Sequence, residues 1–505
     1  MDRQTPGRCL VAGLLLLLVL AGSLAHAANG YFLHGYSAQQ RALAGAGTAG
    51  ADDAFAGSIN PALLADIDDR LDLDLSLLVP IGTLNVVNEP DLEPGTGAGL
   101  FQMNPTDQAG RRFGGNEGAN KYFPIPGVAF ARRVDEHSAW GLAIYGNGGL
   151  NPKFTRGSGG FAQGDATNLL PVAERCEGIF GGGGNIGRPG VLGLCGNGSS
   201  TTLVNLTQLF VATTYARRFG RLRVGVAPLF MVQRFDASGL GAFARFSQNP
   251  DRVTENGKDY SFGLGVRVGM AYEPTAWLRL GASYQTRTHV TEFDKYRGLF
   301  ARDGAFDVPS SFNVGIALTP APRHRLLIDY QRINFSNVAA LGNRLRPNRF
   351  VNGCVRPVLL GGPVDFDTCL GGDNAPGFGW RDVTVYKFGY EYRQGSLTWR
   401  LGFSNNTQPV RSSDILLSTL AFAVNEYHYT AGLSWRFSRS WGLDVALAYS
   451  PVNRLVGKNP LSHIEGGVAS IVAGGDNFGI DPRDQDIQGE FYFLEATIGL
   501  NWHFR

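Results

Sequence analysis

The chain has 505 residues, with 45 basic against 43 acidic side chains and a formal net charge of +2. This near-neutral balance argues against nucleic acid as a partner, because nucleic-acid-binding chains carry clustered excess basic charge. Mean hydropathy is −0.07. Beyond the first residues there is no run of about 18 apolar residues, so the sequence does not predict membrane-spanning helices.

The chain begins with the pattern of an export signal. Arg3 and Arg8 provide the positive charge, residues 10–20 form a short apolar stretch, and Ala25-His26-Ala27 fits the small-x-small cleavage rule. We therefore expect residues 1–27 to be a signal peptide and Ala28 to begin the mature protein.

Residues 28–66 are rich in Gly, Ala and small polar residues and show no strand alternation. Within them Gly45 to Gly50 spells G-x-G-x-x-G, which binds dinucleotides when a strand precedes it and a helix follows. No strand pattern precedes it here, so a nucleotide site is not expected.

From residue 71 the sequence alternates strictly. Leu71, Leu73, Leu75 and Leu77 are separated by polar residues, a period of two that places all four leucines on one face of a strand. Such strands with one lipid-facing and one lumen-facing side are typical of outer-membrane barrels. Fourteen strands are predicted, at 67–79, 123–134, 138–147, 203–219, 221–236, 259–273, 276–292, 309–319, 323–336, 381–393, 396–406, 426–437, 440–451 and 490–504.

The predicted fold class is all-β: a 14-stranded antiparallel transmembrane β-barrel occupying residues 67–505. Short turns alternate with long connections, and in this class the short turns are periplasmic. An even strand count then places both termini in the periplasm. The expected extracellular loops are 80–122, 148–202, 237–258, 337–380 and 452–489.

The cysteines predict loop disulfides. Besides Cys9 in the signal, the chain has Cys176, Cys195, Cys354 and Cys369, two local pairs in an exported protein. We expect Cys176 to pair with Cys195 and Cys354 with Cys369. Zinc is the alternative, but neither pair has C-x-x-C spacing or neighbouring histidines, so neither a metal nor another cofactor is expected.

A fourteen-stranded barrel encloses a wide lumen, so a selective one needs a plug. Residues 28–66 are the available plug. Inward-facing positions become apolar toward the extracellular end, at Leu229, Met231, Ile333, Phe335, Val383, Val385, Phe491 and Phe493. Toward the periplasm they are charged, at Arg223, Arg279, Arg325, Lys387, Glu391 and His503. A general porin would keep this face polar throughout.

Three N-terminal motifs carry a resemblance to a known family. They are Ala28-Asn29-Gly30-Tyr31-Phe32, then Gly45 to Ala54 with Asp52-Asp53, then Asn60-Pro61-Ala62 before the first strand. Together they resemble the hatch of the FadL family of outer-membrane channels for long-chain fatty acids and aromatic hydrocarbons. The resemblance implies fourteen strands, a hatch inside the lumen and an interrupted third strand.

Two of these motifs also have structural interpretations, which remain open. Asn60-Pro61-Ala62 is also a turn that directs the chain into the first strand. Asp52 and Asp53 are candidates for a helix N-cap or for ion pairs with lumen arginines such as Arg223 or Arg279.

The resemblance also implies that the third strand is the exit. Its alternation ends in Gly146-Asn147-Gly148-Gly149, where glycines weaken a strand ladder. An ordinary strand end is the alternative. We expect residues 145–149 to border both a pocket and a wall opening, and to touch the hatch near Asn60. The expected pocket residues are Tyr31, Phe32, Tyr145, Leu229, Met231, Phe335, Phe491 and Phe493.

The function that the resemblance implies is passive uptake of hydrophobic small molecules by loop capture, a lumen pocket and lateral release. Loop capture is expected to use aromatic and leucine side chains at Phe154, Phe161, Leu169, Leu170, Phe180, Phe243 and Phe246, with packing of these loop residues on one another as the alternative. The alternative is an adhesive or structural barrel with a closed lumen. An enzyme is not expected, since His428 with Glu426 and His463 with Glu465 have no associated nucleophile motif.

The expected partners are a hydrophobic substrate, outer-membrane lipid and, during biogenesis, the barrel-assembly machinery, with the protein acting as a monomer. The last strand alternates from Leu494 to Phe504 and resembles the aromatic-ended signal read by that machinery. Arg505 departs from the pattern, which usually ends on an aromatic residue.

Overall fold

The structure is a computed structural model that describes residues 29–87, 111–113, 122–154, 202–463, 474 and 478–504. The predicted signal peptide and the Cys176–Cys195 pair lie outside these residues, as do the capture candidates Phe161, Leu169, Leu170 and Phe180. No helix in the described part of the chain is long and apolar enough to cross a membrane.

Fourteen long antiparallel strands form the described sheet, as the alternation predicts. They are β1 Arg70–Val87, β2 Phe123–Arg133, β3 Ser138–Leu150, β4 Thr202–Phe219, β5 Leu222–Ser238, β6 Asp259–Thr275, β7 Leu278–Gln285, β8 Ser311–Ala321, β9 His324–Ile333, β10 Val383–Gln394, β11 Leu397–Asn406, β12 Tyr427–Trp435, β13 Trp441–Lys458 and β14 Asp486–His503. Each pairs with its neighbours in sequence. Arg70 to Val87 of β1 pair with His503 to Asp486 of β14, which closes the barrel.

Some strand ends differ from the prediction. The first strand was predicted to end at residue 79, but β1 continues through Pro80 and Gly82 because β14 remains paired with it to Val87. Strand β13 likewise runs to Lys458 beside β14. Both strands therefore extend further beyond the membrane than expected, toward the long loops. Strand β7 ends early, at Gln285, and the short piece His289–Val290 pairs with β6 instead. Two more short strands are Arg111–Phe113 and Lys153–Phe154.

The two faces of the strands differ as expected for a membrane barrel. Leu73, Leu75 and Leu77 are 38%, 49% and 40% exposed on the outer surface, whereas Asp72 and Ser76 are buried inside. Since lipid replaces water around the outer face, these exposed leucines are in a favourable environment.

The short turns, the start of β1 and the end of β14 lie at one end of the barrel, which we call the short-turn end. The first described residues, from Asn29 to Phe32, lie away from that end, with Tyr31 packed on Phe335 and Trp380. The opposite, long-loop end carries short helical segments at Gly241–Ala244, Pro250–Arg252, Asp294–Tyr296, Ala301–Gly304, Phe335–Asn337, Ala339–Gly342, Pro347–Phe350, Val351–Val355, Arg356–Leu360, Phe366–Thr368, Ser412–Asp414, Ile415–Ser418 and Thr419–Ala421. A disulfide joins Cys354 to Cys369 there, with the two Cα atoms 5.2 Å apart.

The N-terminal segment, residues 29–66, lies inside the barrel, and we call it the hatch. It contains α1, Ala38–Ala42, and the 3₁₀ turns Ala56–Ser58 and Pro61–Asp66. Ser37 caps α1, because its side chain accepts from Gln40 N. The first strand therefore begins only after the hatch has crossed the lumen.

Inward-facing glycines let the hatch backbone approach the wall closely. A Cβ on Gly225 of β5 would lie 2.4 Å from the carbonyl carbon of Pro61, and one on Gly281 of β7 would lie 2.2 Å from the carbonyl oxygen of Thr48. Neither distance is possible for a real side chain. The sequence of the wall is thus fitted to a hatch in this position.

Candidate functional site

A seam in the wall lies between β2 and β3. These strands pair from Arg133 and Ala139 near the short-turn end up to Gly127 and Tyr145, and no further. Beyond that point β2 stays paired with β1 as far as Phe123. The continuation of β3 stays paired with β4 as far as Leu150. The third strand is therefore interrupted on one side only, so an ordinary strand end does not describe it.

Two prolines in β2 explain where the seam begins. Pro124 and Pro126 have no N–H, and alternate residues of a strand direct their N–H groups to the same neighbour. Because the ladder with β1 continues through both, the missing donors belong to the edge that faces β3. The sequence analysis missed this signal, which stands in the printed sequence as Phe-Pro-Ile-Pro-Gly.

The edge of β3 along the seam bulges inward to the hatch. The pairing with β4 shifts between Gly146 and Gly148, and Gly148 has a φ of 152°, a conformation that favours glycine. Gly148 forms an isolated β-bridge with Phe32. Leu33 N donates to Asn147 O at 3.1 Å. The hatch thus satisfies part of the backbone that β2 leaves unpaired.

This segment contacts the hatch at Phe32, Leu33 and Tyr36. Asn60 lies against β6 instead, where its Nδ2 donates to Met270 O at 3.0 Å. The same amide donates to Thr48 O, and its Oδ1 accepts from Ala62 N. Asn60 is the N-cap of the turn Pro61–Asp66, so the turn interpretation of Asn60-Pro61-Ala62 is the correct one.

Tyr145 lies at the start of the seam, fully buried. Its ring is 4.3 Å from that of Tyr36 in the hatch and 5.8 Å from that of Phe210 in β4, centroid to centroid. Its hydroxyl accepts from Arg267 Nη1 at 3.0 Å. Tyr145 therefore joins the wall, the hatch and a buried cation at one point.

Next to Tyr145 the lumen carries a line of buried amides. Asn147 Nδ2 donates to Gln208 Oε1 at 3.0 Å, Gln208 Nε2 donates to Gln233 Oε1 at 2.9 Å, and Gln233 Nε2 donates to Phe306 O at 2.9 Å. The hydroxyl of Tyr36 donates to Asn147 Oδ1 at 3.4 Å. Because these amides are hydrogen-bonded to one another, they present few unpaired donors or acceptors to an apolar molecule.

An aromatic cluster forms where the start of the hatch meets the segments that follow β9 and precede β10. The ring centroid of Tyr31 is 5.5 Å from that of Phe335 and 6.1 Å from that of Trp380, and Phe32 is 5.6 Å from Phe335. Trp380 is completely buried. The sequence analysis missed it, because it precedes β10 in a loop where alternation gives no direction for its side chain.

The other expected pocket residues are also buried. Leu229 and Met231 lie on β5, and Phe491 and Phe493 lie on β14. All eight expected residues belong to one continuous hydrophobic cluster, but they do not converge on one point. Phe493 packs on two histidines, with its centroid 6.1 Å from that of His34 and 5.7 Å from that of His428.

The two capture candidates for which the structure gives burial are not exposed. Phe243 and Phe246, in the loop after β5, are 4% and 0% exposed. Both belong to the same hydrophobic cluster as the lumen residues. Their expected role as exposed capture residues is therefore wrong in this state of the protein, because they stabilise the loops from within.

The short-turn end of the lumen is closed by ion pairs. Asp52 pairs with Arg325 at 3.1 Å and with Arg393 at 3.0 Å. Arg223 and Arg279, expected partners of Asp52 or Asp53, pair instead with Asp66, at 2.8 and 3.3 Å. The ion-pair interpretation is thus correct for Asp52 with other partners, which depend on how the hatch folds back before β1.

Asp53 has a different environment, although it is the next residue. Its carboxylate accepts from Ser37 Oγ and from Gln40 Nε2. Burial, reinforced by the nearby carboxylate of Asp72, raises the pKa of Asp53 to about 7. Desolvation disfavours the charged form, so Asp53 resists ionisation where Asp52 is held ionised by arginines.

Comparison with known proteins finds a family match over part of the chain and a shared fold over nearly all of it. A sequence model of the family described as "Outer membrane protein transport protein (OMPP1/FadL/TodX)" matches residues 238–463. No curated protein sequence matches the chain.

Solved structures of similar fold cover nearly the whole chain. The toluene transporter TodX of P. putida is 14% identical over 94% of this chain and 99% of its own, with a TM-score of 0.55. The toluene transporter TbuX of Ralstonia pickettii is 16% identical over 94% and 99%, with a TM-score of 0.54. A FadL homologue of Pseudomonas aeruginosa is 13% identical over 94% and 100%, with a TM-score of 0.59.

Proposed function

We propose that this chain is an outer-membrane transport barrel of the FadL type, which admits hydrophobic small molecules and releases them sideways through the β2–β3 seam. The observation that carries the proposal is the position of this seam. It begins at Gly127 and Tyr145, beside the buried aromatic interior and above the charged end of the lumen.

The interior suits an apolar passenger. Tyr31, Phe335 and Trp380 pack on one another inside the barrel, where a water-filled channel would present polar side chains. Moving an apolar group from water into such surroundings is favourable by about 0.8 kcal/mol per CH₂. We infer that the substrate enters by displacing part of this aromatic packing.

The short-turn end does not suit that passenger. Arg325, Glu391 and Arg400 form a buried network there, with Glu391 accepting from Arg325 at 2.6 Å and from Arg400 at 3.2 Å. Separating such pairs leaves charges unpaired and costs several kcal/mol. An apolar molecule offers nothing in exchange, so sideways release into lipid is the less costly path.

The substrate class follows from the relatives only in outline. Two similar structures are toluene transporters by name and a third is a FadL homologue. We propose a hydrophobic molecule of either kind, an arene or a long-chain fatty acid. The protein has no covalent role in this proposal, because binding and release are sufficient.

The experiment is uptake of labelled toluene and labelled oleate by cells with and without the protein. Faster entry of either substrate supports the proposal. If each substrate enters cells with and without the protein at the same rate, although the barrel is correctly assembled in the outer membrane, the proposal is contradicted. That result favours the adhesive barrel with a closed lumen.

A matched pair of variants assigns the path. In the first variant, valine replaces Gly146, Gly148 and Gly149 at the proposed exit. In the control variant, valine replaces Leu142 and Ile144. The latter lie in the paired part of the same strand. Loss of uptake in the first variant alone assigns release to the seam.

A further inference from the structure

A second candidate site lies in the extracellular loops. A cavity of about 330 Å³ is lined by ten residues, of which four are arginines and none is acidic: Gly342, Asn343, Arg344, Arg346, Arg349, Phe350, Thr368, Asn374, Pro376 and Arg411. We propose that this arginine cavity binds a phosphate group. The site is independent of the lumen and of the substrate path.

The sequence places the arginines outward by anchoring apolar residues between them. Leu345 and Phe350 are buried in the loop core, whereas Arg344, Arg346 and Arg349 are exposed. The segment from Arg344 to Phe350 thus presents three guanidinium groups on its solvent side. Arg411 comes from the loop between β11 and β12.

Two of the arginines are fixed by the protein. Arg344 Nε donates to Asp414 Oδ2 at 2.9 Å, and its Nη2 donates to Ser413 Oγ at 2.9 Å. Arg411 Nη1 donates to Gly379 O at 2.6 Å. These contacts use one face of each group and hold both at the cavity wall.

The other two are not neutralised. Neither Arg346 nor Arg349 has an ion pair within the part of the chain that the structure describes. Asp414, behind Arg344, is the acidic group that contacts the arginines of this cavity. Four positive charges with one buried negative charge behind them attract an anion.

The disulfide holds the two walls of the cavity together. Cys354 follows the wall that ends at Phe350, and Cys369 follows Thr368 in the opposite wall. Asn343 Nδ2 donates to Ala375 O at 3.0 Å, a second link between the same walls. A cavity that is already formed loses less entropy when it binds a ligand.

Phosphate fits this set better than a carboxylate does. One guanidinium satisfies the two oxygens of a carboxylate, whereas a phosphate has more oxygens and up to two charges to distribute over several forks. The same group is presented by phosphorylated glycolipid in the outer leaflet and by free phosphate in the medium. Both sources share the chemistry that we propose.

The test uses the purified full-length mature protein in a neutral detergent. Binding of inorganic phosphate and of purified lipopolysaccharide is measured by titration calorimetry at low and at 150 mM salt. The probe variant is Arg346→Ala with Arg349→Ala. The control is Arg252→Ala with Lys258→Ala, which removes the same charge from exposed positions of the loop before β6.

We expect the probe variant to bind about tenfold or more weakly, and the control to bind like the wild type, with binding weakened by salt. Lipopolysaccharide bound without phosphate identifies a lipid headgroup. Phosphate that competes with lipopolysaccharide identifies the phosphate group itself. Arg346→Lys with Arg349→Lys keeps the charge and is expected to lose part of the affinity, because lysine lacks the guanidinium fork.

Three outcomes overturn the proposal. They are no binding of either probe by the wild type, equal loss in probe and control variants, and binding of sodium acetate as tight as that of phosphate. Hydrocarbon uptake by the probe variant is expected to equal that of the wild type, which keeps this result separate from the proposed transport function.

Discussion

Tyr36 of the hatch packs on Tyr145 of β3 with ring centroids 4.3 Å apart and ring planes tilted by 46°. Tyr145 is also the last residue of β3 that pairs with β2. The hatch therefore covers the inner side of the seam with one aromatic ring. If release is sideways through the seam, as proposed, this contact makes the hatch a barrier to it.

The first prediction follows from that contact. Tyr36→Ala removes the ring that covers Tyr145 and is expected to speed uptake of labelled toluene by a few-fold, because a smaller barrier then separates the lumen from the seam. Tyr36→Phe keeps the ring and loses the hydroxyl, so it is the control and should behave like the wild type. Unchanged or slower uptake by a correctly assembled Tyr36→Ala barrel would contradict the barrier role.

The hatch as a whole is predicted to block small polar solutes. Deleting residues 28–58 removes α1 and the contacts of Thr48 with β7 and β9, where Gly47 N and Thr48 N both donate to Asp329 Oδ2 at 2.8 Å. Single-channel conductance in planar bilayers should rise from near zero to that of an open pore. Unaltered conductance of a folded deletion variant would show that the loops close the lumen.

Asp53 predicts a pH dependence of stability. Its pKa is about 7 in the folded protein and near 3.9 in an unfolded chain. At pH values between these two pKa values, Asp53 is protonated in the folded protein but ionised in the unfolded chain. Stability due to this group is present below about pH 4 and is lost as pH rises toward 7, by an amount on the order of 4 kcal/mol.

The check is thermal unfolding in detergent at pH 4.5 and pH 8. The asparagine in Asp53→Asn cannot ionise, so its burial does not become more costly as pH rises. The variant should therefore unfold at a higher temperature than the wild type at pH 8, with a smaller difference at pH 4.5. Asp68→Asn is the matched control, since the side chain of Asp68 is 79% exposed. Parallel pH curves for wild type and Asp53→Asn would be incompatible with the raised pKa.

The alternation of side chains was sufficient to predict the barrel, because a strand in a membrane wall has two faces with different solvents. Leu73, Leu75 and Leu77 report this directly in the sequence. The ends of β1 and β13 were not predictable in the same way. Beyond the membrane both faces of a strand contact water or loops, so apolar and polar residues no longer need to alternate. The backbone pairing nevertheless continues, so alternation does not predict where the strand ends.

The site was predictable only in part, because its contacts join distant segments. The glycines after Tyr145 were a visible signal of a weak ladder, and the prolines at 124 and 126 were visible but needed the register of β2 to be understood. The partners of Asp52 depend on where the hatch lies against β9 and β10. Trp380 and the arginine cavity are loop features, for which the sequence has no period to follow.

The disulfide prediction extends beyond the described residues. The structure contains the Cys354–Cys369 bond, and Cys176 is still predicted to pair with Cys195 by the same loop-local logic. Non-reduced peptide mapping of protein purified from the outer membrane should recover both pairs as linked peptides. Free thiols at Cys176 and Cys195, or a link from either to Cys354, would refute it.

The last prediction concerns the exit itself. Valine at Gly146, Gly148 and Gly149 opposes the bulge, because valine does not tolerate the φ of 152° found at Gly148. It favours extended backbone, which would draw this part of β3 back into the wall. Hydrocarbon uptake should fall at least about tenfold, an increase of ~1.4 kcal/mol in the barrier.

Assembly is not expected to suffer, because the pairing of β3 with β4 continues on the other side of the same residues. Heat-modifiable migration on gels and outer-membrane yield provide that control, together with the variant Leu142→Val and Ile144→Val. Replacing Pro126 with threonine in addition restores a donor to the edge of β2 and should deepen the loss. Full uptake by a correctly folded triple-valine barrel would place the exit elsewhere in the wall.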